Sequence, residues 1–171
     1  THCVLKLMGN LTIESEDKNK NLIIILMDLK SLILSGKVCP YCSKETKFID
    51  SEIIYGVSYG MVYFCGPCDA YVGVHKGTDK ALGRLADKEL RKFKKRAHYF
   101  FDQIAKTDLI NKVWPVFIEN VSNRKKAYMW LSQQLNVPID ECHIGMFDKD
   151  MCRKVIDISI AALQSINKTI T

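Results

Sequence analysis

The sequence predicts an α+β protein, in which a small antiparallel β-sheet lies between an N-terminal helix and a helical C-terminal region. Two C-x-x-C pairs, separated by 22 residues, enclose short β-rich runs, and apolar residues recur at helical spacing on both sides of this stretch. We therefore expect three segments: a strand and helix over residues 1–36, a cysteine-stapled ribbon over 37–78, and a helical region with a basic first helix over 79–171.

The first segment contains the most apolar run of the chain, Leu22–Leu34. A short strand is expected before it, at Cys3–Leu7. Asn21 suits the N-cap of a helix over the run, and Gly36 suits its C-cap. Charged residues interrupt the run, which is also shorter than the roughly 20 residues that cross a bilayer. We expect a helix that packs on the later helices.

The second segment holds three β-rich runs, at Lys47–Ile54, Gly60–Phe64 and Ala70–Val74. Gly56 and Gly60 mark the turn between the first two runs. Strands this short, with so little apolar content, are not stable alone in water. A staple is therefore needed, and the cysteines are placed to supply it.

The four cysteines Cys39, Cys42, Cys65 and Cys68 form two C-x-x-C turns. Each such turn presents two sulfur atoms whose thiolates accept backbone N–H hydrogen bonds, and two turns complete the tetrahedron that Zn²⁺ prefers. Four protein ligands leave no open coordination position, so we predict one structural zinc ion. The intervening residues suffice for a hairpin, which is the plan of a zinc ribbon, and folding of this segment should depend on the metal.

The third segment is predicted to be helical. Leu90, Ala97 and Phe101 belong to an apolar face that continues to Ile104. A shorter helix is expected around Trp114, with Pro115 in its first turn. Ser122 or Asn123 caps a further helix that runs to about Leu135, and a final helix starts after Asp148.

Basic residues crowd into the start of this region, within a chain of net charge +6. Such a stripe favours phosphate-rich partners, although a solvated helix face is the plain alternative. We expect Arg91, Lys92 and Lys95 to lie off the apolar face, with solvated side chains. The candidate phosphate-binding residues are Arg84, Lys88, Arg91, Lys92, Lys95 and Arg96, with Lys37, Lys44 and Lys76 of the ribbon as helpers.

Two enzyme classes compete with a structural zinc site. The tetrapeptide Cys39–Cys42 resembles the active site of glutaredoxins, but the sequence places it after a helix and before β-rich runs, where a thioredoxin-like fold needs the opposite order. Nucleases of the His-Asn-His type also carry two C-x-x-C pairs, with a catalytic histidine between them. His75 instead follows the second pair and lacks positioned partners. We therefore predict no catalytic residues.

The remaining thiols and the aromatic residues have more than one interpretation. Cys142, His143 and Cys152 offer three ligands for a second metal, but adjacent Cys142 and His143 point in different directions, so buried thiols are favoured there and at Cys3. Tyrosines concentrate in the ribbon, where their rings could stack on unpaired bases or form its core. Strand alternation sends Tyr63 and Phe64 to opposite faces.

The cell compartment is predicted from the acidic residues that precede the apolar run Leu22–Leu34. Glu14, Glu16 and Asp17 lie where a secretory signal needs a basic start, so we expect a cytoplasmic protein. The sequence starts at Thr1 rather than Met, which leaves open a removed leader. An odd number of cysteines also favours metal binding and free thiols over a disulfide framework.

The chain resembles a family of zinc-finger-containing proteins of unknown function that are encoded largely by phages and prophages. The resemblance spans about Cys39 to Ile160, and one departure is Ser43, where a glycine commonly follows the first C-x-x-C pair. It implies zinc and a bacterial or viral cytoplasm, and it supplies no catalytic residues. The matching stretches are Cys39–Cys42, Tyr55–Gly60, Cys68–Thr78, Leu82–Asp87 and Cys142–Asp148.

Two functions follow from these observations. The first is a non-catalytic protein that binds DNA or RNA, or associates with a nucleoprotein, through its basic helix. The second is an adaptor that uses the zinc ribbon as a rigid platform for another phage or host protein. Salt sensitivity separates the two functions, because phosphate contacts release counterions and most protein–protein contacts do not.

Overall fold

The computed structural model of the protein describes residues 27–29 and 31–168, except for the side chain of residue 167. The predicted strand at Cys3–Leu7 and the first part of the predicted N-terminal helix lie outside these residues. The α+β class is confirmed, because a small three-stranded antiparallel sheet is followed by a helical region. No helix in the described ranges is long and apolar enough to span a bilayer.

The N-terminal helix ends where its sequence predicts. Residues 27–29 and 31–34 are helical, and Gly36 adopts a left-handed φ of 86°. The Gly36 and Lys37 N–H groups donate to the carbonyls of Ile33 and Leu32, as in a glycine C-cap. A Cβ atom on Gly36 would lie 2.6 Å from the ring of Tyr63. Glycine is therefore required both by the backbone and by the packing of the ribbon against this turn.

The sheet consists of β1 (Lys47–Asp50), β2 (Met61–Cys65) and β3 (Ala70–Gly73), in that order. Both pairs are antiparallel, and Phe48, Tyr63 and Val72 lie side by side across the sheet. Tyr63 is buried in the core of the ribbon, whereas Phe64 is half-buried and outside that core, as expected for neighbours on opposite faces of a strand.

The first strand is shorter than predicted, because residues 52–55 form a helical turn, α1 (Glu52–Tyr55). The Asp50 side chain accepts a hydrogen bond from the first N–H of this turn at 2.8 Å. Gly56 ends the turn with a φ of 72°. The buried Ser51 hydroxyl accepts from the Tyr59 N–H at 2.7 Å, which closes the whole loop. Side-chain capping thus overrides the β-propensity of the isoleucines.

As far as residue 168, the helical region contains four helices and one 3₁₀ turn. Asp87 caps the first helix by accepting from the Leu90 N–H, and Ser122 caps the third in the same manner. Pro115 follows the second helix rather than starting it, because a residue before proline avoids the helical conformation. The elements are α2 (Lys88–Ala105), α3 (Leu109–Val113), α4 (Asn123–Leu135), the 3₁₀ turn Ile144–Met146 and α5 (Lys149–Lys168).

The larger of two apolar cores lies in this region, where α2 packs against α5, α4 and α3. Phe101, Ile104 and Leu131 are fully buried in it. Cys142 and Cys152 are also fully buried there, which confirms their prediction as small core residues.

The smaller core lies under the sheet and continues past residue 78, because Ala81 and Leu85 belong to it. The backbones of Tyr71 and Ala86 exchange two hydrogen bonds, so the chain leaves the ribbon along the edge of β3. A Cβ atom on Gly83 would collide with the carbonyl oxygen of Gly145. This close approach fixes the ribbon against the helical region.

Candidate metal centre

The four predicted cysteines converge at one point beside the sheet. The Sγ atoms of Cys39, Cys42, Cys65 and Cys68 all lie within 4.8 Å of one another, and those of Cys42 and Cys65 are 3.6 Å apart. A zinc–sulfur bond of about 2.3 Å in tetrahedral geometry gives sulfur–sulfur separations of roughly 3.8 Å. Four thiols at this spacing, with no oxygen ligand, fit zinc and leave no coordination position for substrate.

The first C-x-x-C turn is folded by its own backbone. The Cys39 N–H donates to the Lys44 carbonyl, and the Ser43 N–H donates back to the Cys39 carbonyl, both at 2.9 Å. Ser43 adopts a φ of 56° to close the turn. The left-handed conformation explains why glycine would suit this position, and serine accepts it at a cost.

The second C-x-x-C turn lies between β2 and β3. Cys65 is the last residue of β2, and residues 66–68 form a 3₁₀ turn. Asp69 then adopts a φ of 43° and donates its N–H to the Gly66 carbonyl at 3.1 Å. The two turns therefore share one design, in which a left-handed residue follows the second cysteine.

The surroundings of the thiols make one of them easier to ionise. A hydrogen bond from the Lys44 N–H lowers the pKa of the Cys42 thiol to about 7. Burial raises the pKa of Cys65, and a hydrogen bond with Cys42 raises the pKa of Cys68 to about 12. Metal binding requires thiolates, so zinc must displace the protons of Cys65 and Cys68, and binding should weaken in acid.

The alternative sites are not assembled by the fold. No helix begins at Cys39 within the described chain, whereas a thioredoxin-like site places its reactive cysteine at a helix N-terminus. His75 lies exposed in a turn, and its N–H is bonded to the Lys80 carbonyl. His143 is exposed whereas its neighbour Cys142 is buried. Among the residues described, the four-cysteine group is the one cluster that can hold a metal ion.

Both C-x-x-C turns are attached to the start of α2. From the first, the Tyr41 hydroxyl accepts a hydrogen bond from the Asp87 N–H at 3.1 Å. Beside the second, the Arg91 guanidinium donates to the Asp69 carbonyl at 2.7 Å and to its carboxylate at 3.0 Å. The same guanidinium lies 4.0 Å above the centre of the Tyr71 ring. The zinc site therefore sets the orientation of the basic helix.

Sequence reasoning missed this link and placed Arg91 among the solvated cations. Its side chain is only 25% exposed. The nearby Arg84 is half-buried, and its Nε atom is buried without a hydrogen bond in the described structure. Lys94 points inward, and its ammonium group donates to the carbonyls of Arg84 and Gly145. Burial lowers the pKa of Lys94 to about 8. Arg91 and Lys94 therefore serve the fold.

The other cations of the segment are exposed. Lys88, Lys92, Lys95 and Arg96 lie on the surface of α2, and the guanidinium of Arg96 lies 5.8 Å from the centre of the Phe100 ring. The predicted helpers Lys37, Lys44 and Lys76 are exposed on the ribbon.

Comparison with known proteins supports the metal site. The model of a family described as a zinc-finger-containing domain, DUF3268, matches residues 35–162. This range includes all four cysteines and most of the helical region. It also contains the stretch from Cys39 to Ile160 over which the sequence resembles a zinc-finger-containing family. No curated protein and no solved structure gives a significant match. The chain is thus a zinc-binding protein that belongs to this family of zinc-finger-containing domains.

Proposed function

We propose that this protein binds nucleic acid without catalysing a reaction, and that the zinc ribbon holds α2 so that its exposed cations contact phosphates. The single observation that carries the proposal is the arrangement of those cations. Lys88, Lys92, Lys95 and Arg96 are called the cation row below.

The cation row lies on the side of α2 opposite its buried residues. At 3.6 residues per turn, its members are grouped about half a turn away from the stripe formed by Leu90, Ala97 and Phe101. Within the described residues, their side chains make no hydrogen bond and no salt bridge. They are therefore available to a ligand, whereas Arg91 and Lys94 are occupied.

The spacing of the row suits a phosphate backbone. Residues 88 to 96 span about 12 Å along a helix. One strand of DNA carries a phosphate about every 3.4 Å of helix axis, so the row passes roughly three or four phosphates. Contacts of this kind act without regard to base sequence and supply affinity rather than specificity.

The test is charge reversal with a matched control. In K88E/K92E/K95E, affinity for mixed-sequence DNA and RNA should fall, and the slope of log affinity against log salt should become shallower by about one for each phosphate that is no longer neutralised. The control K112E/K125E/K154E reverses three exposed lysines on α3, α4 and α5 and should change binding far less. Zinc content and thermal stability should stay near those of the parent, because no buried group is removed.

An adaptor function is the second candidate, and one observation favours it. Ile53 and Val57 are 72% and 57% exposed within one loop of the ribbon, and grouped exposed apolar side chains are typical of protein-binding surfaces. An adaptor should bind its partner with little dependence on salt. Parent protein that binds no nucleic acid at low salt would contradict the first proposal and favour this one.

The cytoplasmic location and the phage or prophage origin belong to the same proposal and rest on the resemblance stated above. A genomic survey of genes that encode the two C-x-x-C pairs together with α2 tests the origin. Location among host genes with no phage neighbours would contradict it.

A further inference from the structure

The ribbon carries an open groove lined by tyrosines and by residues of all three strands. Tyr55, Tyr59 and Tyr71 line it, with Val62 and Gly73 of the sheet. Its volume is about 960 Å³, which is large enough for flat ligands of nucleobase size. We call it the tyrosine groove.

The rings in the groove present free faces to solvent. Tyr55 meets Tyr59 edge-on, with centroids 5.7 Å apart, and meets Tyr71 edge-on at 5.8 Å. In an edge-on contact the edge of one ring covers one face of its partner, so each pair keeps ring faces that this contact does not cover. Tyr59 is 79% exposed and Tyr55 is 50% exposed. A small core would have buried these rings, so they do not serve the packing of the ribbon.

The groove is held in place before any ligand arrives. The Tyr55 hydroxyl donates to the Tyr71 hydroxyl at 2.9 Å, and the Arg91 guanidinium stacks on the Tyr71 ring. The Tyr59 N–H is fixed by the buried Ser51 hydroxyl. Little conformational entropy is therefore lost when a ligand binds to these rings.

Gly73 keeps the floor of the groove open. Its φ lies outside the left-handed region, so the backbone does not require glycine there. A Cβ atom would lie 3.4 Å from the Leu82 side chain, an ordinary contact. The absent side chain instead leaves room for close approach of a ligand, a recurring reason for glycine within a strand.

The charges around the groove favour an anionic ligand with flat rings. Lys76 lies in its wall, although Asp79 also lies there and offsets that charge. The decisive cations come from α2, where Lys88 and Lys95 lie three and four residues from Arg91 and hence on the same face of the helix. Arg91 contacts Tyr71 of the groove, so Lys88 and Lys95 are the members of the cation row that lie on the groove side of α2.

We infer that the tyrosine groove binds single-stranded nucleic acid by stacking unpaired bases on Tyr55 and Tyr59 while the cation row holds the phosphates. Base stacking on aromatic side chains tolerates any sequence, as phosphate contacts do. This inference rests on the proposed function and narrows it, because bases within a duplex are not free to stack. A proline-rich peptide also docks on aromatic grooves, but it has no use for the adjacent cations.

The experiment measures fluorescence anisotropy of fluorescein-labelled oligo(dT), and of its duplex with oligo(dA), on the full zinc-loaded chain. Tyr59→Ala should weaken single-strand binding by about 5-fold to 150-fold and leave duplex binding unchanged. Tyr59→Phe keeps the ring and should bind like the parent. Phe117→Ala removes an equally exposed ring outside the groove and serves as the control.

A second variant distinguishes loss of the groove from a folding defect. Gly73→Val fills the floor of the groove with a residue that favours strands, and it should weaken single-strand binding while zinc content and far-UV circular dichroism stay unchanged. Parent protein that binds neither single strand nor duplex would overturn the proposed function together with this inference. Single-strand binding that survives both Tyr59→Ala and Gly73→Val would overturn the inference alone. Tyr59-dependent binding of a proline-rich peptide without single-strand binding would also overturn it.

Discussion

The ribbon and the helical region are built from the same chain but are stabilised by different means. The buried cluster of the ribbon has six residues, and two of them are the zinc ligands Cys39 and Cys65. Among the described residues, the buried cluster of the helical region has sixteen members and contains none of the four zinc ligands. A core of the first size does not offset the conformational entropy of ordering its strands, whereas one of the second size does.

The difference indicates where each region is vulnerable. Loss of the metal should affect the ribbon first, and loss of apolar volume should affect the helical region first. The contacts that join the regions include the Tyr41–Asp87 hydrogen bond, the Arg91 contacts, and the close approach of Gly83 to Gly145. The five predictions below test this division, from the largest expected effect to the smallest.

Removing zinc should unfold the ribbon and spare the helical region. Structural zinc in small domains contributes on the order of 10–16 kcal/mol of apparent binding free energy, which the ribbon cannot replace. With a chelator, or in Cys65→Ser, amides of β2 and β3 should exchange rapidly with solvent, while those in the middle of α2 and α5 stay protected. Native-state hydrogen exchange measures both. Simultaneous loss of protection in both regions would contradict the division.

Phe101→Ala should have the opposite effect. The side chain is fully buried in the helical core, so its truncation should cost about 3–5 kcal/mol of unfolding free energy. Zinc content should remain near one per chain. Denaturant titration followed by metal analysis tests this, with Phe117→Ala, which removes an exposed ring, as the control. Zinc loss in the folded Phe101→Ala variant would argue against independent stabilisation.

Gly83→Ala should loosen the junction between the regions. The added Cβ atom meets a backbone carbonyl that cannot turn aside, so we expect a loss of about 1–3 kcal/mol. Gly66→Ala is the matched control, because its Cβ atom would lie at an ordinary 3.6 Å from the ring of Phe64. Thermal denaturation should separate the two variants, and equal melting temperatures would show that the junction adapts at no cost.

Arg91→Met should weaken the junction by about 1 kcal/mol, since Asp69 is exposed and solvent screens part of the ion pair. Lys92→Met removes the same charge one residue away and should change stability by less than about 0.5 kcal/mol. The test is the difference in unfolding free energy between the two variants. If Lys92→Met were the more destabilising, the assignment of Arg91 to the fold and Lys92 to the surface would be wrong.

Ser43→Gly should give the smallest change, and in the stabilising direction. Glycine removes the strain of the left-handed conformation but increases the entropy of the unfolded chain, so the net gain is on the order of 0.5 kcal/mol. Asp69→Gly relieves the same strain but removes the carboxylate that pairs with Arg91, so it should be destabilising. Zinc competition with a chelating dye measures both, and weaker zinc binding by Ser43→Gly would contradict the first expectation.

The sequence alone was sufficient for features with local causes. A C-x-x-C turn closes through hydrogen bonds within six residues, so the zinc ligands are identified by their spacing alone. The caps Asp87 and Ser122 act within one turn of their helices, and the apolar period of α2 identifies its buried face. Local reasoning was not sufficient for β1. The sequence predicts a strand over Lys47–Ile54, but hydrogen bonds to the side chains of Asp50 and the buried Ser51 stabilise a helical turn at its end.

The tertiary structure decided which cations belong to the fold and which face solvent. Arg91, Lys92 and Lys94 are indistinguishable as sequence, yet Arg91 reaches Asp69, 22 residues away, and Lys94 reaches Gly145, 51 residues away. It also decided that Tyr55, Tyr59 and Tyr71 line an open groove, whereas Tyr63 lies in the core of the ribbon. A periodic pattern reports which side of a helix is apolar, but a partner distant in the chain is fixed only when the two regions pack together.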